Sequence, residues 1–283
     1  MSDTSLAISQ KLAAAVEAMP AFPKSVQQIL EMTRQMDCTP KELVQVIESD
    51  PVVTVKILKV VNSAYFALPK QVTSINHAVV FLGFNTIKNL ALSIAAIGML
   101  PAQNEAGFDT GDYLLHSLST ATIAKRLALR LDDASPMDCF IAGLLHDFGK
   151  VVLAQFMPQE FKPALQKCQA DGASLHLALR QTLGIDHASI GAMLAQKWRF
   201  SPDLVAVIAC QFDLGENCSA NAACVFVANQ ISKKLSFGFA GNTYIPPFGA
   251  AIRQHFGTSL DEVIVSLDNL EATFEEVKIF AKV

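Results

Sequence analysis

Apolar residues recur along this chain at helical spacing. Between residues 51 and 66, Val53, Ile57, Val60, Val61 and Ala64 fall at i, i+4, i+7, i+8 and i+11, while Lys56, Lys59 and Ser63 share another face. Between residues 260 and 280, Leu260, Val263, Ile264, Leu267, Leu270, Phe274 and Val277 form a continuous stripe. The first twenty residues read as a short amphipathic helix. No segment alternates with period two between hairpin turns, so no substantial sheet is expected. The pattern predicts an all-α fold, a multi-helix bundle.

The punctuation agrees. Thr39-Pro40-Lys41-Glu42 combines an N-cap, a proline at the first helical position and a reciprocal glutamate, a complete capping box. Asp50-Pro51, Ser135-Pro136 and Ser201-Pro202 start helices in the same way, and Ser259 with Glu262 makes another capping box. Apolar patterning stops between Pro101 and Asp112, where Pro, Gly and Asp cluster. That break predicts an N-terminal helical subdomain over residues 12–100 and a second helical subdomain over 110–235. Residues 236–283 are expected to form a loop, rich in Gly and Pro from Ser236 to Phe248, and a C-terminal helix. No repeat of solenoid length is present.

Composition narrows the function. Half of the chain is apolar (51%), 17% is charged and the mean hydropathy is +0.34, so most helices must bury a wide face and disorder is excluded as the global state. The longest apolar run, near Leu90 to Leu100, carries Ser93 and Gly98, falls short of the roughly 18 residues of a membrane span and reads as a core helix. The N-terminus lacks the basic region of a secretory signal. The six cysteines (Cys38, Cys139, Cys168, Cys210, Cys218, Cys224) show no CxxC spacing and read as reduced thiols of a cytoplasmic protein. A net charge of −4 and the absence of long Lys/Arg runs give no electrostatic footprint for nucleic acid.

One segment carries chemistry. From Phe140 to Ala154 (FIAGLLHDFGKVVLA), His146, Asp147 and Lys150 sit inside a run that is otherwise apolar on every side. A helix apolar all round is buried, and a buried carboxylate costs several kcal/mol unless it is paired or binds a metal. Two readings follow. Asp147 pairs with Lys150 or His146 in a capping role, or the doublet belongs to a metal site or its relic, with Gly149 breaking the helix just beyond.

GLLHDFGK resembles the signature of the HD superfamily of metal-dependent phosphohydrolases. The resemblance implies His116 (in YLLH) as a first metal ligand, His146 and Asp147 as the ligand doublet, and Lys150 as a lysine facing phosphate. The distal ligand position is taken by Asn229, where those enzymes carry aspartate. The stretch HASIGAMLAQKW from His187 to Trp198, followed by Val207 to Phe212, is similar to the HD-GYP phosphodiesterases. His187 matches a ligand there, but Gln211 and Phe212 occupy the place of a His-His doublet, so a binuclear site lacks three of its usual ligands.

The N-terminal half resembles the HDOD family. The matching motifs are FPKSVQQIL from Phe22, IESDPV from Ile47, VNSAYF from Val61 and AVVFLG from Ala78. Taken together, the resemblance spans residues 12–235 and implies a bacterial signalling module, cytoplasmic, acting by protein or ligand binding with a depleted HD site. Signalling proteins, and a nucleotide or second messenger, are the partners implied; nucleic acid and membrane are not. The alternative is an HD-type phosphohydrolase holding one divalent metal ion through His116, His146 and Asp147, with His187 and Asn229 as further candidate ligands and Lys150 as the catalytic candidate. Outside this set, Trp198 reads as core, His77 as structural or exposed, His176 and the Lys233-Lys234 pair as solvated, and His255 is unassigned. Asn62-Ser63 reads as a capping or hydrogen-bonding pair.

Overall fold

The computed structural model describes residues 3–21, 23–32, 39–62, 66, 68–101, 103–215, 218–257 and 259–281. Within them the regular elements are all helical, with no strand. In chain order they are α1 (Asp3–Ala18), α2 (Lys24–Met32), α3 (Pro40–Glu48), α4 (Pro51–Val61), α5 (Ile75–Leu82) and α6 (Phe84–Ile97). Then come α7 (Thr110–Ala128), α8 (Pro136–Leu145), α9 (Phe148–Phe156), α10 (Pro158–Asp171), α11 (Leu175–Leu183) and α12 (His187–Lys197). The last are α13 (Pro202–Ala209), α14 (Ala220–Lys234), α15 (Ala250–Phe256), α16 (Leu260–Ser266) and α17 (Leu270–Ala281).

The starts follow the sequence signals. Thr39 closes its capping box with Glu42, Asp50 accepts from the amides of Val52 and Val53, and Ser135 and Ser201 accept from the amides of Asp138 and Leu204. Ser259 and Glu262 form the second capping box. The expected C-terminal stripe is split, however. α16 ends at Ser266 and α17 begins at Leu270, with Asn269 at φ 54° between them. Val263, Leu267, Leu270 and Val277 are all buried, so the apolar spacing survives across a turn that periodicity alone does not reveal.

The described residues fall into two compact units, residues 1–20 with 101–269 and residues 21–100 with 270–283. The break near residue 101 matches the loss of apolar patterning there. The rest of the division differs from three consecutive segments. α1 belongs with the larger unit because it packs on α9 and α12, and residues 236–269 belong there because their loop lies on α7 and α14. Lys197 fixes the end of α1 by donating to the carbonyls of Val16, Glu17 and Met19, while Trp198 Nε1 donates to Pro20 O at 3.3 Å. Free carbonyls at a helix C-terminus are thereby satisfied by a cation that also suits the dipole.

In the smaller unit, α3, α4, α5 and α6 pack on one another, and α2 packs on α3 and α6. Its core is Ile29, Leu43, Ile47, Ile57, Val60, Ile75, Ile87 and Leu90; the apolar run from Leu90 is buried through residue 95, and residues 97–100 are partly or fully exposed. Asn62 ends α4 and clamps the following loop, exchanging bonds of 2.7 Å with both backbone groups of Val72. Ser63, Ala64 and Cys38 lie outside the described residues.

In the larger unit, α7, α8 and α14 form the centre, with α9 and α12 crossing beside them. Residues 136–156 form a 21-residue stretch apolar enough to cross a membrane by composition, but residues 139–154 are all buried inside the unit. Gly143 makes the α7–α8 contact: a Cβ there would lie 2.7 Å from Ala121 Cα. The five described cysteines are free thiols.

Candidate functional site

α8 ends at His146, its C-cap residue, and α9 begins at Phe148, so the chain bends at the His-Asp doublet itself. The break therefore precedes Gly149, which lies inside α9. Its role is closeness rather than termination: a Cβ on Gly149 would sit 1.9 Å from His187 O and 2.8 Å from Gly191 N. Only glycine lets α9 and α12 cross so tightly, and that crossing delivers His187, the first residue of α12, to Asp147.

Four helices thus bring four groups to one carboxylate. Asp147 Oδ2 lies 3.8 Å from His116 Nε2 of α7, 3.3 Å from His146 Nε2 and 2.5 Å from Lys150 Nζ, while Oδ1 lies 3.2 Å from His187 Nε2. None of these five side chains is more than 1% exposed. His146 Nδ1 sits 2.6 Å from Gly143 O, which can only accept. Nδ1 therefore carries a proton, and that bond turns the ring so that Nε2 faces Asp147, the orientation that a carbonyl partner commonly imposes on a ligating histidine.

The electrostatics follow from burial. Burial by itself would raise the Asp147 carboxyl, but His146 and Lys150 hold it well below the ordinary carboxylate range. Burial pushes His116 well below the usual histidine value against the pull of Asp147, and it pushes His187 down to about 4, with Lys150 adding to the effect. Both rings are neutral near pH 7. Burial lowers the Lys150 ammonium against the pull of Asp147, and Lys150 donates a second bond to Ala240 O at 2.8 Å. The loop of residues 236–248 thereby closes the site over α9.

The donor set suits one divalent cation. His116, His146 and Asp147 each offer one atom, all within 4.8 Å of one another, and both nitrogens of His116 and Nε2 of His146 have no hydrogen-bond partner. Ligand bonds near 2.0–2.2 Å require donor spacings of about 3–4 Å, and the Nε2 atoms of His116 and His146 lie 3.8 and 3.3 Å from Asp147 Oδ2. Lys150 competes for the same oxygen. Asn229, on α14, is 3% exposed and its Oδ1 has no partner. As a neutral amide it is a weak metal donor.

Gln211 and Phe212, where the resemblance expects a second metal's ligands, make other contacts. Gln211 Nε2 donates to His146 O at 2.6 Å and to Ile208 O at 3.2 Å, tying α13 to the doublet. Phe212 stacks on His176 with centroids 4.2 Å apart and meets His187 edge-on at 5.1 Å. His176 is therefore core rather than solvated. It is 7% exposed, with Nδ1 3.5 Å from Asp186 Oδ2. Its place on one stripe with Leu179 and Leu183, at i+3 and i+7, is the signal in the sequence. Lys233 is half-buried, and burial, then repulsion from Lys150, lowers its ammonium to about 7, whereas Lys234 is exposed and pairs with Asp261. His77 is exposed, Trp198 is core at 5% exposure, and His255 Nε2 lies 2.9 Å from Cys218 O.

Comparison with known proteins gives consistent matches. An HDOD protein of Geobacter sulfurreducens with unknown function superposes with a TM-score of 0.78 at 23% identity, covering 99% of this chain and 97% of that one. A Shewanella amazonensis protein, named provisionally as a phosphohydrolase, gives a TM-score of 0.75 at 29% identity over 96% of this chain and 97% of that one. An uncharacterized protein of Treponema pallidum (strain Nichols) is 29% identical over 209 residues. That match takes in 71% of this chain but 39% of that protein, so the chain accounts for well under half the length of this relative. The HDOD domain family model matches residues 19–214, and the chain belongs to the HDOD domain family.

Proposed function

We propose that this chain is a regulatory HDOD module that acts by binding, and that its HD cluster is a structural relic rather than a hydrolytic centre. The observation that carries this reading is the sealing of the cluster: His116, His146, Asp147, Lys150 and His187 are each at most 1% exposed. A phosphohydrolase must admit a phosphoryl group and a water to its ligands, and this cluster offers no surface to either. Lys150 balances Asp147 from within, which removes the electrostatic need for a metal. The sequence adds Asn229, Gln211 and Phe212 where charged or imidazole ligands would stand. Contacts with signalling proteins are the output this reading implies.

The donor geometry of His116, His146 and Asp147 favours a second reading, a phosphohydrolase with one metal ion. These three residues would hold the ion, Asn229 would be a weak further ligand and Lys150 would steady phosphate charge. When bound, such an ion supplies a Lewis acid and an acidified water. The deciding experiment screens the purified protein for phosphatase and phosphodiesterase turnover with Mn²⁺, Mg²⁺, Fe²⁺ and Ni²⁺. The binding reading expects no turnover approaching about 1 s⁻¹, the low end of ordinary enzymes. Turnover at that level, lost in Asp147→Ala, establishes the hydrolase instead. Asn229→Asp should raise metal affinity if the pocket is an HD relic.

A further inference from the structure

Beside the sealed cluster, α11, the residues after α13, α14 and the loop before α15 enclose a cleft of about 440 Å³, within the size range of small-molecule sites. Phe212 joins the two features. It lines the cleft, and the same ring meets His187 edge-on at 5.1 Å, with His176 stacked against it. None of His116, His146, Asp147, Lys150 and His187 lines the cleft. An aromatic wall therefore divides an open cavity from a closed polar centre.

The lining has a definite chemistry. Two basic side chains reach it, Arg180 and Lys233. Arg180 is positioned rather than free: its Nε donates to Asp186 Oδ2 at 2.7 Å, while its side chain is 49% exposed. With Nε engaged, the terminal N–H groups remain as donors of the kind that suits an oxyanion with two acceptors. Lys233 donates only a long 3.4 Å bond to Tyr244 O. Burial, with repulsion from Lys150 added, lowers its ammonium to about 7, so an anion beside Lys233 would favour its charged form. The rest is largely apolar and aromatic, with Phe212, Phe226 and Tyr244 prominent, and Asp213 is the acidic group of the lining. His176 is 7% exposed, lines the cleft and has an Nδ1 with no hydrogen-bond partner.

We infer that this cleft binds a small organic phosphate whose body is a flat ring, the phosphate held by Arg180 and Lys233 and the ring lying against the Phe212 wall. Asp213 accepts from hydroxyl or amino groups on that body. The inference rests on the binding reading above and gives it a ligand class. Because the wall separates phosphate from the buried carboxylate and histidines, the ligand is bound and left intact. A nucleoside monophosphate and a simple aryl phosphate share this chemistry, and the test separates them.

The experiment is calorimetric titration of the purified full chain with AMP, GMP, phenyl phosphate, adenosine and inorganic phosphate, with product analysis after each run. Saturable one-to-one binding of a ring phosphate is expected, at least about tenfold tighter than adenosine or inorganic phosphate, as loss of a charged hydrogen bond or of ring contact implies. Preference for AMP or GMP over phenyl phosphate assigns the source as a nucleotide, and the reverse assigns an aryl phosphate. Arg180→Gln, on the half-exposed side chain, and Lys233→Met, which keeps the apolar stem, should each weaken binding roughly 10–100-fold. Phe212→Leu should weaken the ring phosphate while leaving inorganic phosphate unchanged. No binding at about 1 mM, or adenosine binding as tightly as AMP, overturns the site without touching the regulatory reading. Affinity unchanged in both Arg180→Gln and Lys233→Met places the ligand elsewhere and also overturns it. Binding followed by hydrolysis that Asp147→Ala abolishes overturns the binding-only reading while leaving the cleft as the ligand's seat.

Discussion

Lys150 Nζ lies 2.5 Å from Asp147 Oδ2, and neither side chain is more than 1% exposed. The two residues are one helical turn apart, so α9 carries its own counter-ion into the core. Removing one partner of such a pair leaves an uncompensated buried charge, which costs about 3–5 kcal/mol. Lys150→Met should lose that much in urea denaturation. Mn²⁺ should restore more stability to the variant than to the parent, because His116, His146 and an unengaged Asp147 then remain to bind it. A variant as stable as the parent, with or without Mn²⁺, would show that Lys150 is not what neutralises Asp147.

Gly149→Ala tests the helix crossing that brings His187 to the site. The new Cβ would lie 1.9 Å from a backbone oxygen, which no rotamer change relieves, so a loss of about 3 kcal/mol or more is expected. Gly215→Ala is the control, since nothing lies within 4 Å of a Cβ there. Equal stability of the two variants by chemical denaturation would contradict the close approach of α9 and α12.

Lys197→Ala should act locally. Three carbonyls at the end of α1 lose their donor, and hydrogen bonds to a charged group contribute about 1.5–3 kcal/mol. Amide exchange should report faster opening of Lys11 to Ala18, with protection of α7 and α14 unchanged. Uniform loss of protection across α1, α7 and α14 would mean that the contact supports the whole unit instead.

Asp50 supplies a pH signature in the smaller unit. The Ser25 hydroxyl, 2.7 Å from its Oδ2, holds the carboxyl below the usual value, with the amides of Val53 and Val52 adding to it against the effect of burial. A folded pKa below the unfolded one contributes stability that is present above the unfolded value, near 3.9, and is lost as pH falls through the folded value. Asp50→Asn keeps an N-cap acceptor but removes the charge. Thermal melts from about pH 6 to pH 3 should therefore converge for parent and variant as the solution becomes acid. A gap that is constant with pH would remove ionisation from the account.

The residues that specify helices act on their nearest neighbours, so the sequence by itself determined the all-α class and most helix starts. A threonine followed by proline, or an aspartate before one, caps the same chain segment in which it is read. The sequence also singled out His116, His146, Asp147, Lys150 and His187, because ionisable groups in apolar stretches need compensation wherever the chain folds. Only tertiary structure decided what that compensation is. Asp147 meets His116 and His187 through the packing of α7 and α12, and Ala240 reaches Lys150 from 90 residues away in a loop without regular structure. The same holds for the failures of local reading. His176, in a stretch with a solvated pattern, is stacked on Phe212, and the apolar stripe after residue 260 is interrupted by the left-handed turn at Asn269. Periodicity records which positions are apolar; which surface covers them is set by contacts between residues far apart in the chain, and no local pattern encodes those.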